Sequence, residues 1–113
     1  QGMESIMPYA KRIGYLVKRD DLTLEQFHEH WLGTHAALCR KIPGLRRYTT
    51  NLINREDFPD AGWDGFSELW FDTIEDHDAA FASKEGQELL ADAPNFAKSL
   101  YGVIVTETRH IWS

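Results

Sequence analysis

The sequence predicts a single α+β domain built around one antiparallel sheet. Three observations carry this: short apolar segments that alternate like strands, two stretches of helical periodicity opened by capping signals, and the order β-α-β-β-α-β.

Lys11 to Lys18 reads as the first strand, with Ile13, Tyr15 and Val17 on one face and Gly14 and Leu16 on the other. Asp20-Asp21-Leu22 turns the chain. Thr23 followed by Gln26 forms a capping box, so a helix is predicted from Leu24 to about Lys41, ended by Pro43-Gly44. At about 100° per residue, Leu24, Phe27, Trp31, Leu38 and Ile42 make its buried stripe. His35 lies at the edge of that stripe, His28 further round, His30 on the opposite flank, and Cys39 about 100° off its centre.

Leu45 to Ile53 reads as the second strand, Asn54 to Gly62 as a polar loop, and Trp63 to Phe71 as the third strand. In that strand Phe66, Glu68 and Trp70 alternate with Ser67, Leu69 and Phe71, so both faces carry large apolar groups. Thr73 with Asp76 opens a second helical region, continued by pieces through Leu89-Leu90 and Asn95 to Leu100. Tyr101 to Ile111 reads as the last strand. Short connections and right-handed crossovers turn this order into a four-stranded sheet with helices on one face, the ferredoxin-like arrangement. Leaving Phe66 and Trp70 wet on the other face is costly, since burying one large side chain is worth about 1.5–3 kcal/mol. Two such sheets packed face to face, a homodimer, is the expected remedy.

The composition sets bounds on function. A chain of 113 residues holds one core, and its 42% hydrophobic and 27% charged residues are those of a folded globule. Four Trp, six Phe and four Tyr give this small core ample aromatic area for a pocket or an interface. The net charge of −6 argues against a nucleic-acid partner; acidic residues crowd between Glu56 and Asp92 and read as a solvated face. The single Cys39 forms no internal disulfide and suggests a reducing, cytoplasmic setting. No apolar run is long enough to span a bilayer, the N-terminus lacks a signal-peptide core, and no membrane partner is expected. Gln1-Gly2 before Met3 reads as an expression-tag remnant. Residues 1–10 are therefore set aside as remnant and extension, and the domain is expected over 11–113.

No phosphate loop, nucleophile elbow or dinucleotide fingerprint is present, and no cofactor is expected. His28, His30 and His35 invite a metal reading, but helical metal pairs sit three or four residues apart, and His28 and His35 stand roughly 10 Å apart along an α-helix. No metal site is expected. His35, beside Trp31 on the buried stripe, is the candidate general acid/base; the plain alternative is a core histidine with both nitrogens satisfied. Glu68, between Phe66 and Trp70, is the second candidate, its pKa expected to rise through desolvation; alternatively it pairs with Arg47, Arg109 or a partner subunit. Trp31, Trp70 and Phe66 are candidate apolar walls, and Tyr15, Tyr48 and Tyr101 candidate donors to a substrate carbonyl. Cys39 is weighed as a nucleophile and set low, having only basic sequence neighbours.

Three stretches, LTLEQFHEHWLGTHAALCRKIPGLRRY (Leu22 to Tyr48), WDGFSELWFDT (Trp63 to Thr73) and SKEGQELLADAPNF (Ser83 to Phe96), resemble the EthD-like branch of the dimeric α+β barrel proteins. The resemblance covers most of residues 11 to 111 and implies a ferredoxin-like protomer whose sheet faces that of a twin. Relatives in the wider superfamily include muconolactone and methylmuconolactone isomerases, polyketide dehydratases and cyclases, quinone-forming monooxygenases and haem-degrading enzymes. Many need no metal or organic cofactor and use a pocket histidine or carboxylate. His35 matches the family's His-Ala motif, and Glu68 and Trp70 its Glu-Leu-Trp-Phe motif; Ala37 stands where the family often has Pro.

The expected function is a cofactor-independent lyase or isomerase moving protons on a small cyclic or aromatic catabolic intermediate, by dehydration, isomerisation or lactone rearrangement. His35 would be the acid/base and Glu68 its orienter or second acid/base. The alternatives are a non-catalytic small-molecule binder or accessory protein of an oxygenase or degradation pathway, oxygenase chemistry, and haem binding or degradation.

Overall fold

The computed structural model describes residues 9–112. The expected tag remnant and most of the N-terminal extension lie outside the described residues. The chain runs β1 (Ala10–Lys18), α1 (Leu24–His30), a π-helical turn (Trp31–His35), α2 (Ala36–Cys39), β2 (Arg47–Leu52), β3 (Gly65–Phe71), α3 (Ile74–Ala82), α4 (Lys84–Asp92), a 3-10 turn (Ala93–Asn95) and β4 (Ala97–Val105). The strands form one antiparallel sheet in the order β2-β3-β1-β4, as the ferredoxin-like reading predicts.

The helix starts follow their capping chemistry. Thr23 Oγ1 accepts from the Gln26 amide at 3.0 Å, and Gln26 Oε1 accepts from the Thr23 amide at 2.9 Å. Such a cap is typically worth about 1 kcal/mol. Thr73 Oγ1 caps α3 through the Asp76 amide, and Ser83 Oγ caps α4 through the Gly86 amide.

Register divides the side chains between two faces. Ala10, Arg12, Gly14 and Leu16 oppose Phe71, Leu69, Ser67 and Gly65 beneath the helices. Lys11, Ile13 and Tyr15 oppose Trp70, Glu68 and Phe66 on the other side. The helix-side core has two parts. Ile42, Leu69, Phe71 and Leu89 belong to one, and Leu16, Phe27, Trp31 and Phe96 to the other. The Trp31 ring lies on the backbone of Gly65, where a Cβ would come within 2.7 Å of two ring carbons.

Two boundaries differ from expectation. β4 begins at Ala97 rather than Tyr101, because Ser99 and Leu100 pair with Val17 and Leu16 and this pairing overrides the helical propensity of Ala97-Lys98. It ends at Val105, opposite Lys11, rather than at Ile111. The segment beyond folds back over one end of the open face. Glu107 accepts from Trp70 Nε1 at 3.3 Å and Lys11 Nζ at 3.2 Å, and the Arg109 guanidinium stacks on Trp112 at 3.8 Å. Trp70, expected to lie open to water in a lone protomer, is therefore 5% exposed. At the other end Tyr101 is 67% exposed and Trp63, its ring tilted against Tyr15 at 4.3 Å between centroids, is also open.

Gly65→Ala should destabilise the fold by about 1–3 kcal/mol, because its Cβ meets the Asn51 carbonyl as well as the Trp31 ring. Chemical denaturation of both proteins measures the difference.

Candidate functional site

The turn from Trp31 to His35 sets the site's geometry. The Ala36 amide reaches back to Trp31 O, five residues away, so this turn holds one residue more than an α-helical turn. In a regular helix His30 and His35 would stand about 140° apart at 100° per residue. The widened turn closes that angle and brings both imidazoles onto Asp92, at the end of α4. Asp92 Oδ2 accepts from His35 Nδ1 at 2.8 Å, and both its oxygens lie 3.0 Å from His30 Nε2. Asn95 Nδ2 donates to Oδ1 at 3.0 Å. His30, expected on the opposite flank, is therefore part of the site. Cys39, expected off the apolar centre, is buried.

An ionised carboxylate only accepts hydrogen bonds, so His35 carries its proton on Nδ1 when neutral. Nε2 keeps its lone pair and has no hydrogen-bond partner among the described residues. The ring is 7% exposed and packs against Phe96 at 4.7 Å between centroids. Burial lowers its pKa below the ordinary value, and the hydrogen bond it donates to Asp92 only partly offsets this. Burial alone would raise the Asp92 carboxyl, but the donors from Asn95, His35 and His30 outweigh it and leave its pKa lowered. The result is a neutral imidazole, fixed in one tautomer, beside a carboxylate that stays charged.

His35 lines a cavity of about 30 Å³ lying between the sheet and the helices, at the seam of the two core parts. Trp31, Leu69 and Leu100 are among its apolar walls; Arg12, Tyr48, Ser67 and Cys39 supply its other polar groups. Burial first of all pushes the Cys39 thiol up to about 12, which removes it as a nucleophile near neutral pH.

The structure brings together His35, Trp31 and Tyr48. It does not bring Glu68 to them. Glu68, Trp70, Phe66 and Tyr15 share the opposite face of the sheet, because strand neighbours alternate and Leu69, not Glu68, faces the helices. Asp92 takes the orienting position expected for Glu68. Nor is the Glu68 carboxyl raised: burial pushes it up, but Lys11 Nζ at 2.8 Å, Thr49 Oγ1 at 2.8 Å and Asn51 Nδ2 at 3.1 Å outweigh this and hold its pKa down. Its partner is Lys11 rather than Arg47 or Arg109. Sequence reasoning missed Asp92, Arg12 and Ser67. The one local hint was Gly33 in mid-helix, a residue that weakens α-helical regularity where the turn widens. Among the described residues no group of three His, Cys, Asp or Glu side chains could hold a metal ion, and no helix is long and apolar enough to cross a membrane.

An NMR titration should place the His35 pKa below its unfolded value of about 6.5, and Asp92→Asn should lower it further by leaving burial unopposed. The sign for stability follows. The unfolded chain takes up the His35 proton first, so stability is constant above about pH 6.5 and falls as pH drops from there through the folded pKa.

The comparisons agree with this architecture. The family model for the EthD domain matches residues 19–99. An uncharacterized 11.0 kDa protein from the thcB-thcC intergenic region of Rhodococcus erythropolis is 30% identical over 81 residues, 72% of this chain and 79% of its own length. The crystal structure of an ethyl tert-butyl ether d (EthD) family protein of Bacillus halodurans superposes with a TM-score of 0.78 at 32% identity, covering 88% of this chain and 99% of that one. Two solved enzymes share the fold alone. SnoaB of Streptomyces nogalater, a cofactor-independent oxygenase, has a TM-score of 0.68 at 12% identity over 91% and 96% of the two chains. The hydroxynitrile lyase of Passiflora edulis has 0.65 at 15% over 90% and 97%. Dimeric proteins are also among the solved structures of this fold that the chain resembles. The matched family model, the Rhodococcus relative and the shared fold together place this chain in the EthD family.

Proposed function

We propose that this protein is a cofactor-independent enzyme of the lyase or isomerase type, moving a proton on a small cyclic or aromatic catabolic intermediate. The observation that carries the proposal is His35: Nδ1–H tied to Asp92 at 2.8 Å, ring on the cavity wall, Nε2 without a partner among the described residues. A neutral imidazole in one tautomer is a general base near pH 7. After it takes a proton from a carbon acid, the imidazolium faces the Asp92 carboxylate, which stabilises the new charge and leaves the proton available for return at another position. Abstraction followed by return is isomerisation; abstraction followed by loss of a β-hydroxyl is dehydration. Tyr48 and Ser67 are hydroxyl donors for the oxygen on which negative charge develops, and Trp31 supplies an apolar wall. That SnoaB is a cofactor-independent oxygenase and the Passiflora protein a hydroxynitrile lyase lends support at the level of fold.

The assembly belongs to the same proposal. Tyr15, Trp63, Phe66 and Tyr101 crowd the end of the open face that the C-terminal segment leaves bare, and a second copy of this chain is the proposed cover. A cytoplasmic setting fits the lone, buried thiol of Cys39.

Two tests follow. In heavy water, the protein should exchange the carbon-bound α-protons of small lactones or cyclic enones, monitored by proton NMR. His35→Ala should abolish the exchange and Asp92→Asn reduce it by about 10²–10⁴-fold through loss of the tautomer. The rate should rise with pH through an apparent pKa below about 6.5 and then stay level. Exchange that survives His35→Ala ends the proposal; saturable binding without exchange marks a binder instead. Sedimentation should show a dimer at micromolar concentration, and Phe66→Glu should give a folded monomer.

A further inference from the structure

The cavity holds a cation that has no counter-charge among the described residues. Arg12 lies on the helix side of β1, with its guanidinium 4.2 Å over the Phe81 ring. Nη1 lies 3.2 Å from His77 Nε2. A guanidinium only donates, so His77 Nε2 accepts, and its ring proton sits on Nδ1, 2.8 Å from Asp78 Oδ1. Space for the group comes from Gly102: a Cβ there would lie 2.2 Å from Arg12 Nη2. The head group is therefore held from three sides.

What it lacks is a carboxylate. Among the described residues Arg19, Arg46, Arg55 and Arg109 each pair with an acid; Arg40 and Arg47 pair with none but are exposed, whereas Arg12 lines the cavity and also has none. The wall of the cavity carries no acidic side chain, although the chain as a whole has a net charge of −6. Burial lowers the Arg12 pKa from its ordinary value, as expected of a cation short of water and of counter-charge. Arg12 is half-buried, and a partly desolvated charge is normally paired. A planar fork whose one side-chain hydrogen bond among the described residues goes to His77 matches a planar carboxylate.

We infer that Arg12 is the anchor for the carboxylate of a small monocarboxylate substrate, held in the same cavity as His35. The inference deepens the proton-transfer reading and rests on it for the reaction, though the binding can be measured without any turnover. A carboxylate fixed on Arg12 leaves the rest of a small molecule to extend along the cavity that His35 also lines. The small cavity favours a compact acid over a bulky one.

The test uses acetate, crotonate and benzoate against their amides, titrated into the full-length protein and followed by the Arg Nε–Hε resonances in nitrogen-edited NMR. The acids should bind saturably and shift the Arg12 signal, with the amides weaker by about tenfold or more. Arg12→Gln should lose the acids' advantage, Arg12→Lys should keep part of it, and His35→Ala should keep all of it. Acids and amides binding alike, acid binding that leaves the Arg12 signal unmoved, or no saturable binding would each overturn the inference. Should Arg12→Gln fail to fold, the wild-type Arg12 signal alone decides. Exchange lost in His35→Ala but acid binding unchanged in Arg12→Gln removes only the anchor. The converse removes only the proton-transfer reading.

Discussion

The contact between Asp92 and His35 is the constraint on which the site depends. It joins the end of α4 to the middle of the first helical rod, and the wide turn of that rod brings His30 to the same carboxylate. An α-helical turn there would send His30 away from Asp92 and leave the carboxylate with fewer donors in a buried place. The widened turn costs helical regularity, and the hydrogen bonds converging on Asp92 offset that cost. The same contact fixes which nitrogen of His35 is free, so fold and chemistry rest on one carboxylate.

The sheet acts as a partition. Strand neighbours point to opposite sides, and consecutive residues of the Glu-Leu-Trp-Phe stretch therefore serve two compartments. Leu69 and Phe71 wall the helix-side core, while Glu68 and Trp70 join Lys11 and Glu107 in a polar-aromatic cluster on the far side. A charge on one face has no direct path to the other except through the backbone layer. That is why the two titratable candidates, His35 and Glu68, lie in separate surroundings.

The fold was legible because its signals are local. Thr23 with Gln26, Thr73 with Asp76 and the alternation in β1 and β3 each act within a few residues, and their order leaves few topologies. The site was legible only in part. His35, Trp31 and Tyr48 could be picked from the periodic pattern and the family motif. Asp92 could not, since its role depends on a turn whose width departs from the 3.6-residue period assumed in the reading. Arg12 was hidden for another reason: a strand position says which face a side chain takes, not whether a counter-charge awaits it. The Glu68 reading failed on its neighbours, because Lys11, Thr49 and Asn51 come from two other strands and become neighbours only in the sheet.

The folded-back tail beyond β4 has a consequence for symmetry. With Glu107 and Arg109 lying over the Lys11–Trp70 end, a twin cannot stack squarely over the sheet centre without displacing them. In the proposed dimer the two-fold axis would be pushed toward the Tyr15–Tyr101 end, and the seam between copies would be lopsided, rings at one end and charges at the other.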